Sequence, residues 1–144
     1  MINLNSTVMI YRPIQQVFDF VSTAENDFQW QYGTLESAQV SPGITGAGAF
    51  FRSVGHLMGR RLQGTFEITE YEKNKKYGFR SLSGPLRLQT LYTFEMTAGS
   101  TKVNVSTRAS LADLFQVSEG VLEKQLGKQL KENLALLKGI LETK

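Results

Sequence analysis

Six leucines, Leu122, Leu126, Leu130, Leu134, Leu137 and Leu141, recur at spacings of four and three near the end of this 144-residue chain. Such spacings lay one apolar stripe along a helix. Lys124, Lys128, Lys131, Glu132 and Lys138 fall off the stripe, so a helix of over twenty residues has one wet face and one that needs a partner. A coiled coil is one candidate partner arrangement. The stripe spans barely three heptads, however, and Gly120, Gly127 and Gly139 each weaken an isolated helix by about 1 kcal/mol relative to Ala. A sheet covering the stripe is the better solution.

The rest of the chain supplies that sheet. Ile2, Leu4, Ser6, Val8 and Ile10 alternate with Asn3, Asn5, Thr7, Met9 and Tyr11, which reads as a first strand over residues 2–11. Pro13 then suits the first turn of a helix carrying Ile14, Val17, Phe18 and Val21 on one stripe. Ser22 or Thr23 is placed to cap a second short helix that runs to Trp30, with Phe28 as its other large apolar group. From Thr34 onward the period is two, broken by turn residues at Pro42–Gly48, Gly59, Lys73–Lys76, Gly84–Pro85 and Ala98–Ser100. Six strands remain, near 34–41, 48–58, 60–72, 77–83, 86–97 and 101–110. Their short connections predict an antiparallel meander, since parallel pairing needs crossovers of about a dozen residues. The fold class is α+β: a curved seven-stranded antiparallel sheet around a long C-terminal helix, with two short helices between strands 1 and 2.

Composition removes several function classes. Apolar residues at 41% and charged residues at 20% fit a chain that folds as one domain over 1–144. With no cysteine there is no disulfide, thiolate nucleophile or Cys-ligated zinc, and the one histidine, His56, does not make a metal site with scattered carboxylates. Neither a metal nor any cofactor is expected. The net charge of +3 is mild, and Lys73, Lys75 and Lys76 around Asn74 read as a solvated turn, which argues against nucleic acid as a partner. The first residues carry no basic, apolar leader, and no run of eighteen apolar residues occurs, so a cytoplasmic location without stable membrane insertion is expected. Gly43–Gly48 lacks the Lys-Ser/Thr ending of a phosphate loop and opens a strand rather than a helix.

One long helix cannot fill the concavity of so long a sheet, and the remainder becomes a pocket lined by inward strand residues. On the strand 86–97, Leu88, Tyr92, Phe94 and Met96 share the apolar face. Phe66 and Ile68 alternate with Thr65, Glu67 and Thr69, and Phe79 and Ser81 with Arg80 and Leu82. Each aromatic serves either as plain core or as cavity wall. His56 shares its face with Phe50, Arg52 and Val54; if that face is concave, His56 and Arg52 project into the pocket, where a histidine moves protons near neutral pH. The other reading of His56 is a surface or hydrogen-bonded side chain at a strand end. Trp30, Leu126 and Leu130 complete the cavity candidates from the helices, Gln125 and Gln129 flank the leucine stripe, and Arg60 and Arg61 read as a solvated hairpin turn.

A resemblance rests on several segments taken in order. They are Tyr11-Arg12-Pro13-Ile14-Gln15-Gln16-Val17-Phe18-Asp19-Phe20-Val21 and Trp30; Gly46-Ala47-Gly48 before a long strand; Phe66-Glu67-Ile68-Thr69-Glu70-Tyr71-Glu72; Tyr77-Gly78-Phe79-Arg80-Ser81-Leu82-Ser83-Gly84-Pro85; Thr101-Lys102-Val103; and Leu137-Lys138 on the final helix. Together they resemble the START/SRPBCC superfamily (helix-grip, Bet v-like), and within it the polyketide cyclase/dehydrase-like group. The resemblance covers essentially the whole chain and implies a helix-grip fold, with the glycine-rich loop at the cavity mouth. It implies no single chemistry, because a shared fold hosts carriers, receptors and enzymes.

The leading expectation is binding of a small apolar or aromatic, lipid- or polyketide-like molecule in the cavity, as carrier or sensor. The alternative is a cyclase/dehydrase-like enzyme in which Tyr92, His56 or Arg52 polarises or exchanges protons with the substrate. A third reading makes the sheet or helix a docking surface for another protein. Monomer and homodimer are both compatible with the sequence.

Overall fold

The computed structural model describes residues 1–57, 59–84, 87–110 and 118–143. Met58, Pro85, Leu86, residues 111–117 and Lys144 fall outside the described residues, and with them one end each of the strands expected at 48–58 and 86–97 and part of the Gly84–Pro85 turn. The order is β1 (Ile2–Ile10), α1 (Ile14–Val21), a single 3-10 turn (Ala24–Asn26), α2 (Asp27–Trp30), β2 (Thr34–Gln39), β3 (Phe50–Leu57), β4 (Arg60–Glu72), β5 (Lys76–Ser83), β6 (Arg87–Thr97), β7 (Ser100–Ser110) and α3 (Glu119–Glu142). This is the helix-grip arrangement. All seven strands form one antiparallel sheet in the order β1-β7-β6-β5-β4-β3-β2.

Local chemistry accounts for most boundaries. Ser118 caps α3 by accepting the Val121 N–H on its Oγ at 3.2 Å. Capping of α2 by Ser22 or Thr23 is not observed. The Thr23 hydroxyl donates instead to the Asp19 carbonyl at 2.7 Å, one turn back, and Ser22 closes α1 through its N–H to Phe18 O at 2.9 Å. Strand β3 begins at Phe50 rather than 48: Gly48 adopts φ +90°, which breaks the extended conformation although its N–H still donates to Ile68 O at 2.8 Å.

Inside and outside follow from cross-strand register, since directly opposed residues share a face. Ile2 and Ile10 on β1, Tyr92 and Phe94 on β6, and Val103, Val105 and Ala109 on β7 are all buried. Strand β4 points Leu62, Phe66 and Ile68 inward. A bulge at Thr69 then shifts the pairing from Ile68↔Phe79 to Glu70↔Gly78, so that Tyr71 also turns inward.

Helix α3 is clamped at its C-terminal end. Lys138 Nζ donates to Met9 O at 2.7 Å and to Glu142 Oε2 at 2.6 Å, while lying 4.2 Å from the Tyr11 ring centroid. Glu142 also accepts the Tyr11 N–H at 2.9 Å. These two donors hold its carboxyl below the usual carboxylate range. Beneath this clamp Leu134, Leu137 and Leu141 are buried with Val17, Phe18 and Val21 of α1. Phe18 meets Phe94 and Tyr71 edge-on at 5.2 and 5.4 Å.

Candidate functional site

Toward the other end of α3 the described residues leave part of the concavity open. A central lobe of about 210 Å³ lies between α2, the sheet and Leu130. Thr34, Ser53 and Phe66 also border a second lobe of about 140 Å³, and Gln31, Leu88, Thr107 and Leu130 also border a third of about 200 Å³. The three lie side by side and share these walls. A dry cavity of roughly 150 Å³ accepts benzene, so the central lobe alone has room for more than one ring.

The mouth is shaped by two glycines. Gly33 sits at φ +86° between α2 and β2, and a Cβ there would lie 2.3 Å from His56 O; a Cβ on Gly55 would lie 2.6 Å from Gly33 O. Only glycine permits this backbone approach, which is tied by the His56 N–H to Gly33 O at 2.7 Å.

One wall is aromatic. Phe51 stacks on Phe66 at 5.3 Å, and Phe79 meets both edge-on at 5.3 and 5.8 Å. Tyr77 links Phe79 to Tyr92, and Trp30 abuts Tyr92 at 6.1 Å. Trp30 is fully buried, and its indole N–H has no partner among the described residues. Beside this wall Thr90 and Thr107 share one hydrogen bond at 3.1 Å.

A chain of amides crosses the cavity from α3 to β6. The Tyr32 backbone N–H donates to Asn133 Oδ1 at 2.9 Å, Asn133 Nδ2 donates to Gln31 Oε1 at 3.0 Å, and Gln31 Nε2 donates to the Tyr92 hydroxyl oxygen at 3.0 Å. Burial and the nearby Asp27 carboxyl push the Tyr92 phenol above its ordinary range, so it stays protonated. Asp27 itself lines the central lobe without a hydrogen-bond partner for its carboxyl among the described residues. Desolvation, then repulsion from Glu25, raises its pKa well above an ordinary aspartate's.

The residues expected at the site divide into groups. Phe66, Phe79 and Tyr92 line the central lobe, Leu130 lines the central and third lobes, Leu126 lines the third, and Trp30 backs the wall behind Tyr92. Phe94 is buried against Phe18, in the filled end. Ser81 is occupied in the sheet, accepting the Leu88 N–H at 3.1 Å and donating to Leu88 O at 3.3 Å.

Phe50, Arg52 and His56 correct the expectation that their face of β3 is concave. Phe51 pairs with the buried Phe66, so Phe51 and Ser53 face the cavity, whereas Phe50, Arg52 and His56 point outward and are exposed. His56, although exposed, is among the residues that line the second lobe.

Asp27, Gln31 and Asn133 escaped the sequence reading. Among the described residues of α3, Asn133 is the one buried polar side chain, and its place directly beside the unbroken leucine stripe, three residues after Leu130, was the available signal. Gln129 reaches the second and third lobes and donates to Tyr32 O at 2.8 Å, while exposed Gln125 reaches neither.

Among the described residues no cluster of His, Asp and Glu is arranged to hold a metal ion, and no helix is long and apolar enough to cross a membrane.

Comparison with known proteins agrees with this architecture. The family model described as polyketide cyclase / dehydrase and lipid transport matches residues 1–142. The chain belongs to that family. Its fold is similar to that of a START superfamily protein from Mycobacterium smegmatis, with a TM-score of 0.81 and 16% identity, covering 98% of this chain and 97% of the other. TTHA0849 from Thermus thermophilus superposes with a TM-score of 0.79 at 16% identity, over 96% of each chain. The Zhui aromatase/cyclase from a Streptomyces species does so with a TM-score of 0.73 at 15% identity, covering 97% of this chain and 93% of the other. No curated protein matches the chain by sequence.

Proposed function

We propose that residues 1–144 act as one domain that binds a single small apolar or aromatic molecule, lipid- or polyketide-like, in the cavity, and serve as its carrier or sensor in the cytoplasm. The observation that carries this is the open part of the concavity: an aromatic wall of Phe51, Phe66 and Phe79 faces Leu130 across a lobe of about 210 Å³. Apolar wall area favours a ligand's rings by about 25 cal/mol per Å² removed from water, and a few fixed polar groups orient it.

A second reading, cyclase/dehydrase-like chemistry, is favoured by one observation. A phenol and a carboxyl, Tyr92 and Asp27, share the lobe. Such a pair holds a substrate's oxygen and exchanges a proton with it. The enzyme reading therefore rests on these two residues and no longer on Arg52 or His56.

Native mass spectrometry of the gently purified protein, followed by identification of what denaturation releases, tests both readings. A stoichiometric small molecule is expected, and its turnover on incubation separates enzyme from carrier. An empty protein that takes up no aromatic probe sinks both.

A further inference from the structure

The amide chain across the cavity has a fixed polarity. A backbone N–H only donates, so Tyr32 requires Asn133 to turn Oδ1 toward it, at 2.9 Å. Asn133 then has only its Nδ2 to offer Gln31, which receives it on Oε1 at 3.0 Å. Gln31 in turn has only Nε2 left for Tyr92, at 3.0 Å. The phenol oxygen is thereby cast as acceptor, and its own hydrogen has no acceptor among the described residues, although Tyr92 is only 3% exposed. A buried donor left unmatched is costly, and it lines the lobe.

We propose that Asn133 and Gln31 are specificity-determining positioning residues, which force Tyr92 to donate to the ligand so that the cavity selects a molecule presenting an acceptor oxygen, a carbonyl, at this point. This rests on the cavity-binding reading above and adds the polarity of its recognition. Neither amide needs to touch the ligand. They act by denying Tyr92 the opposite orientation, in which its hydrogen would turn back to Gln31 and its lone pairs would face the lobe. The protonated state of the phenol, enforced by burial, is consistent with a donor role.

Asn133→Asp reverses the chain with almost no change of shape. At pH 8 the new carboxylate accepts both the Tyr32 N–H and Gln31 Nε2, so Gln31 presents Oε1 to Tyr92 and takes the phenol hydrogen. The test is calorimetric titration of three probes of one shape: 2-acetylnaphthalene, 2-ethylnaphthalene and 1-(2-naphthyl)ethanol. They are added to wild type, Asn133→Asp and Tyr92→Phe, with circular dichroism to establish that each is folded.

The ketone is expected to lose about tenfold in affinity in both variants, as for one neutral hydrogen bond, while the hydrocarbon stays within about threefold. The alcohol is expected to gain on the ketone in Asn133→Asp but not in Tyr92→Phe, a reversal that a merely structural role for Asn133 does not produce. Ketone affinity that survives in either folded variant overturns the proposal. Should Asn133→Asp fail to fold, Tyr92→Phe still decides whether the phenol donates. Failure of 2-ethylnaphthalene to bind wild type overturns the cavity reading and this proposal with it, whereas equal behaviour of ketone and hydrocarbon across all proteins overturns the polarity alone.

Discussion

The two halves of α3 face the same sheet, yet around Leu134, Leu137 and Leu141 the packing is closed, whereas around Leu126 and Leu130, beyond the buried Leu122, the described residues leave open space. Around Leu134, Leu137 and Leu141, helix α1 inserts Val17, Phe18 and Val21 and fills the concavity. Around Leu126 and Leu130 the covering element is α2, only four residues long, followed by Gln31 and Tyr32. A helix of eight residues presents a full apolar stripe; one of four presents little more than Trp30. The difference shows that the cavity is made by shortening one covering element rather than by thinning the sheet's side chains, since large rings continue along the wall. On the proposed reading, the ligand takes the space beside Leu126 and Leu130, between core packing at Leu122 and at Leu134–Leu141.

The largest expected effect tests the filled end. Phe18→Ala should cost about 3–5 kcal/mol, because a fully enclosed ring leaves a void its neighbours cannot close. Phe79→Ala, which removes a half-buried ring already beside the lobe, should cost clearly less in the same urea titration. Equal losses break the distinction between the two ends.

Asp27→Asn is next in size and sharpens the contrast through pH. The folded pKa of Asp27 is raised, so its carboxyl detracts nothing when neutral in both states and destabilises the fold once pH rises from the ordinary aspartate range through the folded value. Glu25, Tyr77 and Tyr92 are the titratable groups around it, and Glu25 adds to the effect. The substitution should therefore stabilise the protein by about 1–3 kcal/mol at pH 8 and by almost nothing at pH 3, read from urea midpoints at both. A gain independent of pH assigns the effect to packing instead.

Leu130→Phe is the smallest in energy. Filling the central lobe should raise stability by about 0.5–1 kcal/mol and abolish uptake of a naphthalene probe. Unchanged uptake moves the binding site away from α3.

The secondary structure was legible because each element carries its own period: the leucine stripe, the alternation on β1 and β6, the glycine-marked turns. The inward face of β3 was not. Phe50 and Phe51 are adjacent aromatics, and each parity mixes large apolar residues with others: Phe50, Arg52, Val54 and His56 on one, Phe51, Ser53, Gly55 and Leu57 on the other. Only the pairing of Phe51 with Phe66 decides between them. The amide chain was illegible for a different reason. Residues 31, 92 and 133 meet only through the fold, and nothing in local sequence marks a glutamine as relay rather than surface.

The strand order also sets the tempo of folding. Strands β2 through β7 pair with their sequence neighbours, so each pairing closes a loop of at most ten residues, 40–49 between β2 and β3 being the longest. Strand β1 alone must find β7, aligning Ile2 with Ala109 across most of the chain. That closure carries the largest loop entropy, and contacts of such separation slow two-state folding. The meander can assemble before β1 joins its edge, and the apolar residues of β1, Ile2 and Ile10, stay uncovered until it does. Late docking of β1 is therefore expected, and substitutions on β1 such as Ile10→Val should change the folding rate more than the unfolding rate in stopped-flow measurements.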